Sequence, residues 1–258
     1  MLQKELEKRF AKAKEIALSA SSFLLSHEAL RRSISIKAEN DYVTTGDKEC
    51  ERLIITQLKE AFPDDGIYGE ESGDLSAESA VKWIIDPIDG TVDFMASFPN
   101  YTISIAFKDE EGIALGVVMV PRQNEMFSAI RGQGAFLNGE RIYTDEVTDL
   151  GKTLAILVPP HRHHEYLHEY IKKMEKFYQI VSDMRSIGSA ALSLCYVASG
   201  RCSIYYEIAL HIYDVAAGLL ILSEAGGIYS LKERSDGSLS VAASSNKAYE
   251  KMIEVVDE

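Results

Sequence analysis

Basic residues are scarce in this 258-residue chain: 27 Lys and Arg stand against 40 Asp and Glu, a formal charge of −13 at pH 7. A surface that neutralises phosphodiester charge needs clustered cations, so no nucleic-acid partner is expected. Cysteine is scarce too. Cys50, Cys195 and Cys202 form an odd set with no CxxC pair, which excludes a disulfide framework and a zinc knuckle and predicts free buried thiols in a reducing cytoplasm. Uninterrupted apolar stretches such as Gly112 to Pro121 fall far short of the roughly 20 residues that span a bilayer. Met1 to Lys8 mixes both charge signs and lacks the apolar centre of a signal peptide. A cytoplasmic protein without membrane association is therefore expected.

What is present has an ordinary globular balance, 46% hydrophobic and 26% charged, enough for one large domain or two fused lobes. Leu6, Phe10, Ala13, Ala17, Ala20 and Leu24 recur at helical spacing, one face of a long amphipathic helix. A second helix is predicted after Asp47, with Cys50, Leu53, Ile54, Leu58 and Ala61 inward. Val81 to Ile85 reads as a buried strand stopped by Pro87, which lacks an N–H. Tyr101 to Phe107 and Ile113 to Val120 flank a hairpin loop, and Met126 to Ile130 and Arg141 to Tyr143 continue a β-rich stretch. From Leu154 onward strands and helices alternate. A helix is expected from about His164 to Phe177, a small-residue helix from Ser189 to Ser199, and another from Val215 to Ala225 closed by Gly226-Gly227. The expected organisation is a helix-plus-antiparallel-sheet part (1–143) and an α/β part (144–258) that share a cleft and form one compact unit.

Acidic residues gather where these elements end. In Ile84-Ile-Asp86-Pro-Ile-Asp89-Gly-Thr91 the strand delivers Asp86 to its mouth, and Asp89 follows within reach of the same ion or a neighbouring one. The Ile88 carbonyl adds a third hard oxygen, and Gly90 and Thr91 offer N–H groups to an anion. Carboxylates, a carbonyl and water favour Mg²⁺, Mn²⁺ or Ca²⁺ over zinc. A solvated Asp-Pro turn followed by an Asp-Gly turn explains this segment alone equally well. Glu70-Glu71, Asp47 and Asp214 each have a plainer reading as surface acids or helix caps. Together they put acids at four element ends, the pattern of a shared cleft. In the His-rich stretch Pro159 to His168, His164 and His168 share a predicted helical face. With no carboxylate or Cys pattern beside them, a solvated helix start is expected rather than a transition-metal site.

Glu70-Glu71, Asp86-Pro-Ile-Asp89-Gly-Thr91, Arg185-Ser-Ile-Gly188-Ser-Ala190-Ala, Tyr205-Tyr-Glu207 and Tyr213-Asp214-Val-Ala-Ala-Gly218 with Glu224-Ala-Gly-Gly227 closely resemble, in order and spacing, the signature segments of the inositol monophosphatase family. The resemblance spans about Lys37 to Gly227. It implies the α+β, layered α-β-α-β-α fold of lithium-sensitive, Mg²⁺-dependent phosphatases, a homodimer, and hydrolysis of a small phosphate monoester, inositol 1-phosphate first among them. Carried onto matching positions, it puts one metal on Glu70, Asp86 and the Ile88 carbonyl, a second between Asp86, Asp89 and Asp214, and a weaker third near Glu70. These two or three ions would be Mg²⁺, with Mn²⁺ as a substitute. Glu70 and Thr91, backed by Asp47, would orient a water and take its proton. The N–H groups of Gly90 and Thr91 would hold phosphate. Asp214 with Asp89 would lie near the leaving alcohol, and Glu207 and the Ala190 N–H would meet a substrate hydroxyl.

Two positions depart from the family pattern: Asp93 stands where Asn is usual and Tyr213 where Trp is usual. Neither removes a metal ligand. His161 or Arg162, at the cleft rim in the family, is expected to tune specificity. The same superfamily hydrolyses fructose 1,6-bisphosphate, histidinol phosphate and 3′-phosphoadenosine 5′-phosphate; the extra base-binding segments expected of the last do not stand out here. A non-catalytic metal- and phosphate-binding interaction protein would be marked by a lost ligand or a lost Thr91, and all are present.

Overall fold

The computed structural model describes residues 3–38, 41–75 and 79–257. Glu39 and Asn40, within the span of the family resemblance, lie outside them. Helix α1 (Gln3–Ser26) buries Leu6, Ala13, Ile16, Ala17, Ala20 and Leu24, the three-and-four spacing that turns one stripe inward. The antiparallel hairpin β1 (Ile34–Ala38) and β2 (Asp41–Thr44) follows. Helix α2 (Thr45–Ala61) starts on a capping box, in which Thr44 accepts the Asp47 N–H and Asp47 accepts the Thr44 N–H at 2.8 Å. The helix thus opens three residues earlier than the spacing predicts, and Asp47 is its third residue rather than its cap.

The first large sheet contains β3 (Gly66–Gly69), β4 (Gly73–Asp74), β5 (Lys82–Asp89), β6 (Thr102–Asp109), β7 (Gly112–Val120), β8 (Glu125–Ile130), β9 (Gly134–Leu137) and β10 (Glu140–Ile142), with the short helix α3 (Thr91–Ala96) after β5. Its spatial order is β10-β9-β8-β7-β6-β5-β3-β4. Strand β5 does not stop at Ile85. It runs through Pro87 to Asp89, and its pairing with β6 slips between Asp86 and Asp89. Three steps on β5 face two on β6, a bulge that absorbs the missing proline N–H.

The second sheet contains β11 (Leu154–Val158), β12 (Asp183–Arg185), β13 (Ile204–Leu210), β14 (Ile228–Glu233) and β15 (Leu239–Ser244), ordered β12-β11-β13-β15-β14. Helices α4 (Leu167–Ile180), α5 (Ala190–Ala198), α6 (Ile212–Glu224) and α7 (Tyr249–Asp257) alternate with these strands. The expected helix at His164 begins instead with a 3₁₀ turn over His164–Tyr166, so His164 and His168 do not share one α-helical face. The boundary expected at 143/144 falls in the segment between β10 and β11.

Alternate residues of each strand feed opposite cores. Trp83, Ile85, Ile105 and Phe107 face α1 and α2. Ile84, Ala106 and Val118 face α5 and α6, which also meet Tyr205, Val241 and Ala243 of the second sheet. Tyr206 and Ala242 turn away, toward Tyr170 and Phe177 of α4 and Met252 of α7. The result is the α-β-α-β-α stack. Its middle layer sits close: a Cβ on Gly116 of β7 would lie 2.8 Å from the Ala217 carbonyl oxygen. The small residues of α6 therefore rest directly on the sheet, close beneath the helix that carries Asp214. No described helix is long and apolar enough to cross a membrane.

Candidate active site

The β5 bulge turns Asp86 back on its own backbone. Its Oδ1 accepts the Ile88 N–H at 3.0 Å, the Asx turn that the Asp-Pro pair predicts. The turn is not on the surface, since Asp86 is 1% exposed. Asp89 leaves the same bulge toward the N-terminus of α5, where it accepts the Ser189 hydroxyl at 2.6 Å, the Ala191 N–H at 2.7 Å and the Ala190 N–H at 3.3 Å. The Ala190 N–H, expected beside Glu207, is thus directed at Asp89. Asp214 is the third residue of α6 and accepts the His211 N–H. From these separate elements Asp86, Asp89 and Asp214 each bring one carboxylate oxygen within 4.8 Å of the others, and all three residues are buried.

Burial pushes the Asp86 carboxyl well above the usual carboxylate range, and the charges of Glu70, Asp89 and Asp214 push it further. Asp89 and Asp214 are raised as well, in each case by burial first. Three ionised carboxylates this close in a dry site repel one another unless a cation lies among them. An all-oxygen donor set suits a hard divalent ion. Glu70 follows β3, with its N–H on the Ile85 carbonyl at 3.1 Å. Its carboxylate lies 3.3 Å from Lys37 Nζ, which also meets Glu71. Thr91 Oγ1 sits 3.0 Å from Asp47 Oδ1 and 3.2 Å from the Ile88 carbonyl oxygen. Burial raises the Asp47 carboxyl to about 6.

A cavity of about 430 Å³ opens over these groups, lined by Asp89, Gly90, Thr91, Asp93, Glu207 and Asp214, with His161 and Arg162 among the residues of its wall. Gly90 takes φ 95°, and a Cβ there would lie 3.2 Å from the Gly188 carbonyl oxygen. Only glycine holds this left-handed turn so close to the backbone of the segment before α5. Glu207 accepts the Tyr205 hydroxyl at 2.6 Å, and burial raises its carboxyl well above the usual range.

Residues 5–258 match the model of the inositol monophosphatase family. The chain belongs to this family. The protein named Nus factor SuhB of Escherichia coli (strain K12) is 42% identical over 197 residues, which cover 76% of this chain and 74% of that protein. Its namesake of Pasteurella multocida is 40% identical over 195 residues, 75% of this chain and 73% of that protein. Among solved structures, the IMPase of Thermotoga maritima superposes with a TM-score of 0.87 at 31% identity, covering 97% of each chain. The extragenic suppressor protein SuhB from Bartonella henselae does so with a TM-score of 0.90 at 30% identity, covering 96% of this chain and 98% of that one. The layered fold implied by the motifs is the fold of these inositol monophosphatase relatives.

The structure brings together Glu70, Asp86, Ile88, Asp89, Thr91, Asp47, Glu207 and Asp214, all named from the sequence. It adds neighbours of these acids that spacing did not single out. Lys37 reaches Glu70 from β1, and a lone Lys in a short strand gives no sequence signal. Ser189 is the N-cap of α5 and also donates to Asp89; a Ser before a run of small apolar residues signals the cap but not the second bond. Of the departures, Tyr213 packs its ring 6.1 Å from Tyr68 and 5.1 Å from His211. Asp93 lines the cavity, its Oδ2 buried without a hydrogen-bond partner. In the His-rich stretch, His163 pairs with Glu165 at 3.1 Å and lies near Asp236. His168 is exposed on α4.

Proposed function

We propose that the chain is a Mg²⁺-dependent phosphomonoesterase acting on a small polyol phosphate, with inositol 1-phosphate as the first candidate. The observation that carries this reading is the convergence of buried Asp86, Asp89 and Asp214 on one point, beside a cavity that Gly90, Thr91 and Glu207 also line. Glu70, Asp86, the Ile88 carbonyl, Asp89 and Asp214 would hold divalent cations, which when bound would supply positive charge for a transferring phosphoryl group and lower the pKa of the attacking water.

The chain's own groups do the rest. Backbone N–H groups of Gly90 and Thr91 orient phosphate oxygens. Thr91 donates its hydroxyl proton to Asp47, which leaves its oxygen lone pairs free to accept a hydrogen bond from the water. The raised Asp47 carboxyl suits it to take up a proton near neutrality. Tyr205 occupies Glu207 Oε2 and leaves Oε1 for a substrate hydroxyl. Asp214 is the acid beside the leaving alcohol. The same reading takes 1–143 and 144–258 as two parts of one unit and the assembly as a homodimer, which light scattering would test.

Phosphate release is to be measured with inositol 1-phosphate, fructose 1,6-bisphosphate, histidinol phosphate and 3′-phosphoadenosine 5′-phosphate, with Mg²⁺ and with or without Li⁺. Mg²⁺-dependent turnover of the inositol ester, suppressed by Li⁺, is expected. Inactivity on every ester would end the enzyme reading in favour of a binding protein.

A further inference from the structure

Helix α2 carries a second buried carboxylate one turn beyond Asp47. Glu51 is 3% exposed and lies outside the cluster of Asp86, Asp89 and Asp214. Its Oε2 accepts the Glu71 N–H at 3.0 Å, and Ser72 adds a backbone and a hydroxyl donor. The fit against β3 is tight. A Cβ on Gly69 would lie 2.5 Å from Glu51 Oε2 and 2.7 Å from its Cδ, so even alanine at 69 displaces this carboxylate. Glu70 is the residue between. Its own N–H is held by the Ile85 carbonyl of β5 at 3.1 Å, and the next N–H is held by Glu51. Both peptide groups flanking the Glu70 side chain are therefore tied down, one by the sheet and one by α2.

We propose that Glu51 is a positioning residue for the metal centre: it fixes the peptide after Glu70 and so holds the Glu70 carboxylate at the site. This rests on the reading of Glu70 as a metal ligand. It gives α2 two tasks one turn apart, since Asp47 supports Thr91 and Glu51 supports Glu70. Burying a carboxylate is costly, and here the direct partners are neutral donors.

The test is Mn²⁺ binding to the full chain without substrate, followed by the electron paramagnetic resonance signal of free Mn²⁺, for the parent, E51A, E51Q, G69A and E70Q. E51A and G69A are each expected to weaken Mn²⁺ affinity about tenfold, the scale of outer-shell losses at metal sites. E51Q keeps one acceptor oxygen and is expected to stay within about threefold, less than the worth of one hydrogen bond to a charged group. In turnover, the Mg²⁺ concentration for half-maximal rate should rise in E51A and G69A while kcat at saturating Mg²⁺ changes little, a split that general loosening does not produce. Folded E51A or G69A with parental Mn²⁺ affinity, beside an E70Q that has lost it, overturns the inference. If E70Q itself binds Mn²⁺ like the parent, it is the assignment of Glu70 that fails. Should E51A not fold, G69A decides, because it displaces Glu51 without removing it.

Discussion

Thr91 and Asp47 are 44 residues apart in the chain and meet at 3.0 Å, hydroxyl to carboxylate, in the interior. Both are buried, and Asp47 is anchored from behind by the Thr44 N–H and hydroxyl at 2.8 and 2.6 Å. In the proposed mechanism this pair is the fixed proton acceptor. Removing either end, by T91A or D47N, is expected to lower kcat about a hundredfold while T91S retains most activity. Steady-state kinetics on the preferred ester with far-UV circular dichroism checks this; a folded T91A with a tenth or more of parental kcat contradicts it.

The raised carboxyls of Asp86, Asp89 and Asp214 make metal-free stability depend on pH. A carboxyl whose folded pKa exceeds its unfolded value of about 3.9 binds its proton more tightly when folded. Folding then takes up protons, and stability falls as pH rises above the unfolded value. The window reaches about 6 for Asp89 and about 8 for Asp214. The metal-free protein is expected to melt at a higher temperature at pH 5 than at pH 8, with Mg²⁺ recovering much of the loss at pH 8. Thermal melts in chelator and in Mg²⁺ test both halves, and a metal-free Tm that holds steady or rises over this range contradicts the first.

Both D89N and D214N are expected to abolish metal-dependent turnover and weaken Mn²⁺ binding. D214N is also expected to raise the metal-free Tm at pH 8 by removing one crowded charge, a gain D89N forgoes because both Asp89 oxygens accept hydrogen bonds. Near-normal turnover in either variant would refute the ligand assignment.

Asp93 tests one family departure. Burial alone raises its carboxyl to about 6, and its buried Oδ2 has no partner. Above that pH the folded state carries a half-buried charge whose Oδ2 meets no hydrogen-bond donor among the described residues. D93N should raise Tm at pH 8 and leave it near parental at pH 5; equal shifts at both would show that the effect is packing rather than charge.

Ala209 sits at φ 68°, where the β13–β15 pairing slips between Ile208 and Leu210. Left-handed backbone costs an L-residue about 1–2 kcal/mol, and glycine's greater unfolded freedom returns part of that, so A209G should gain about 0.5 kcal/mol. In a domain of this size that is a rise of about 1–2 °C in Tm. A lower Tm for A209G would mean that the alanine methyl is worth more than the strain.

Much of the site was legible because its residues mark element ends, where acids, Gly and Pro leave sharp signals. Asp89 and Asp214 lie at a strand end and in the first turn of a helix, as local pattern predicts, while Asp86, expected at the strand's mouth, sits at the start of its bulge; the layered fold came with the family motifs. What escaped was set by long-range contact. Pro87 reads as a strand end, yet the sheet absorbs it in a bulge because β6 still pairs with Asp89. The Ala190 N–H was expected to face substrate, but its neighbour across the cleft decides its partner. Lys37 and Glu51 reach the Glu70 turn from 33 and 20 residues' distance to Glu70 or Glu71, and neither belongs to a local motif.

Asp89 is made in one part of the chain and held by another: the Ala191 N–H that grips it lies 102 residues downstream. As the chain leaves the ribosome, β5 and its acids are complete long before α5 and α6 exist. The centre therefore has no half-built form that can bind its ions as the finished one does. Metal competence arrives late, as a report that the second sheet and the helices above it have closed over the first.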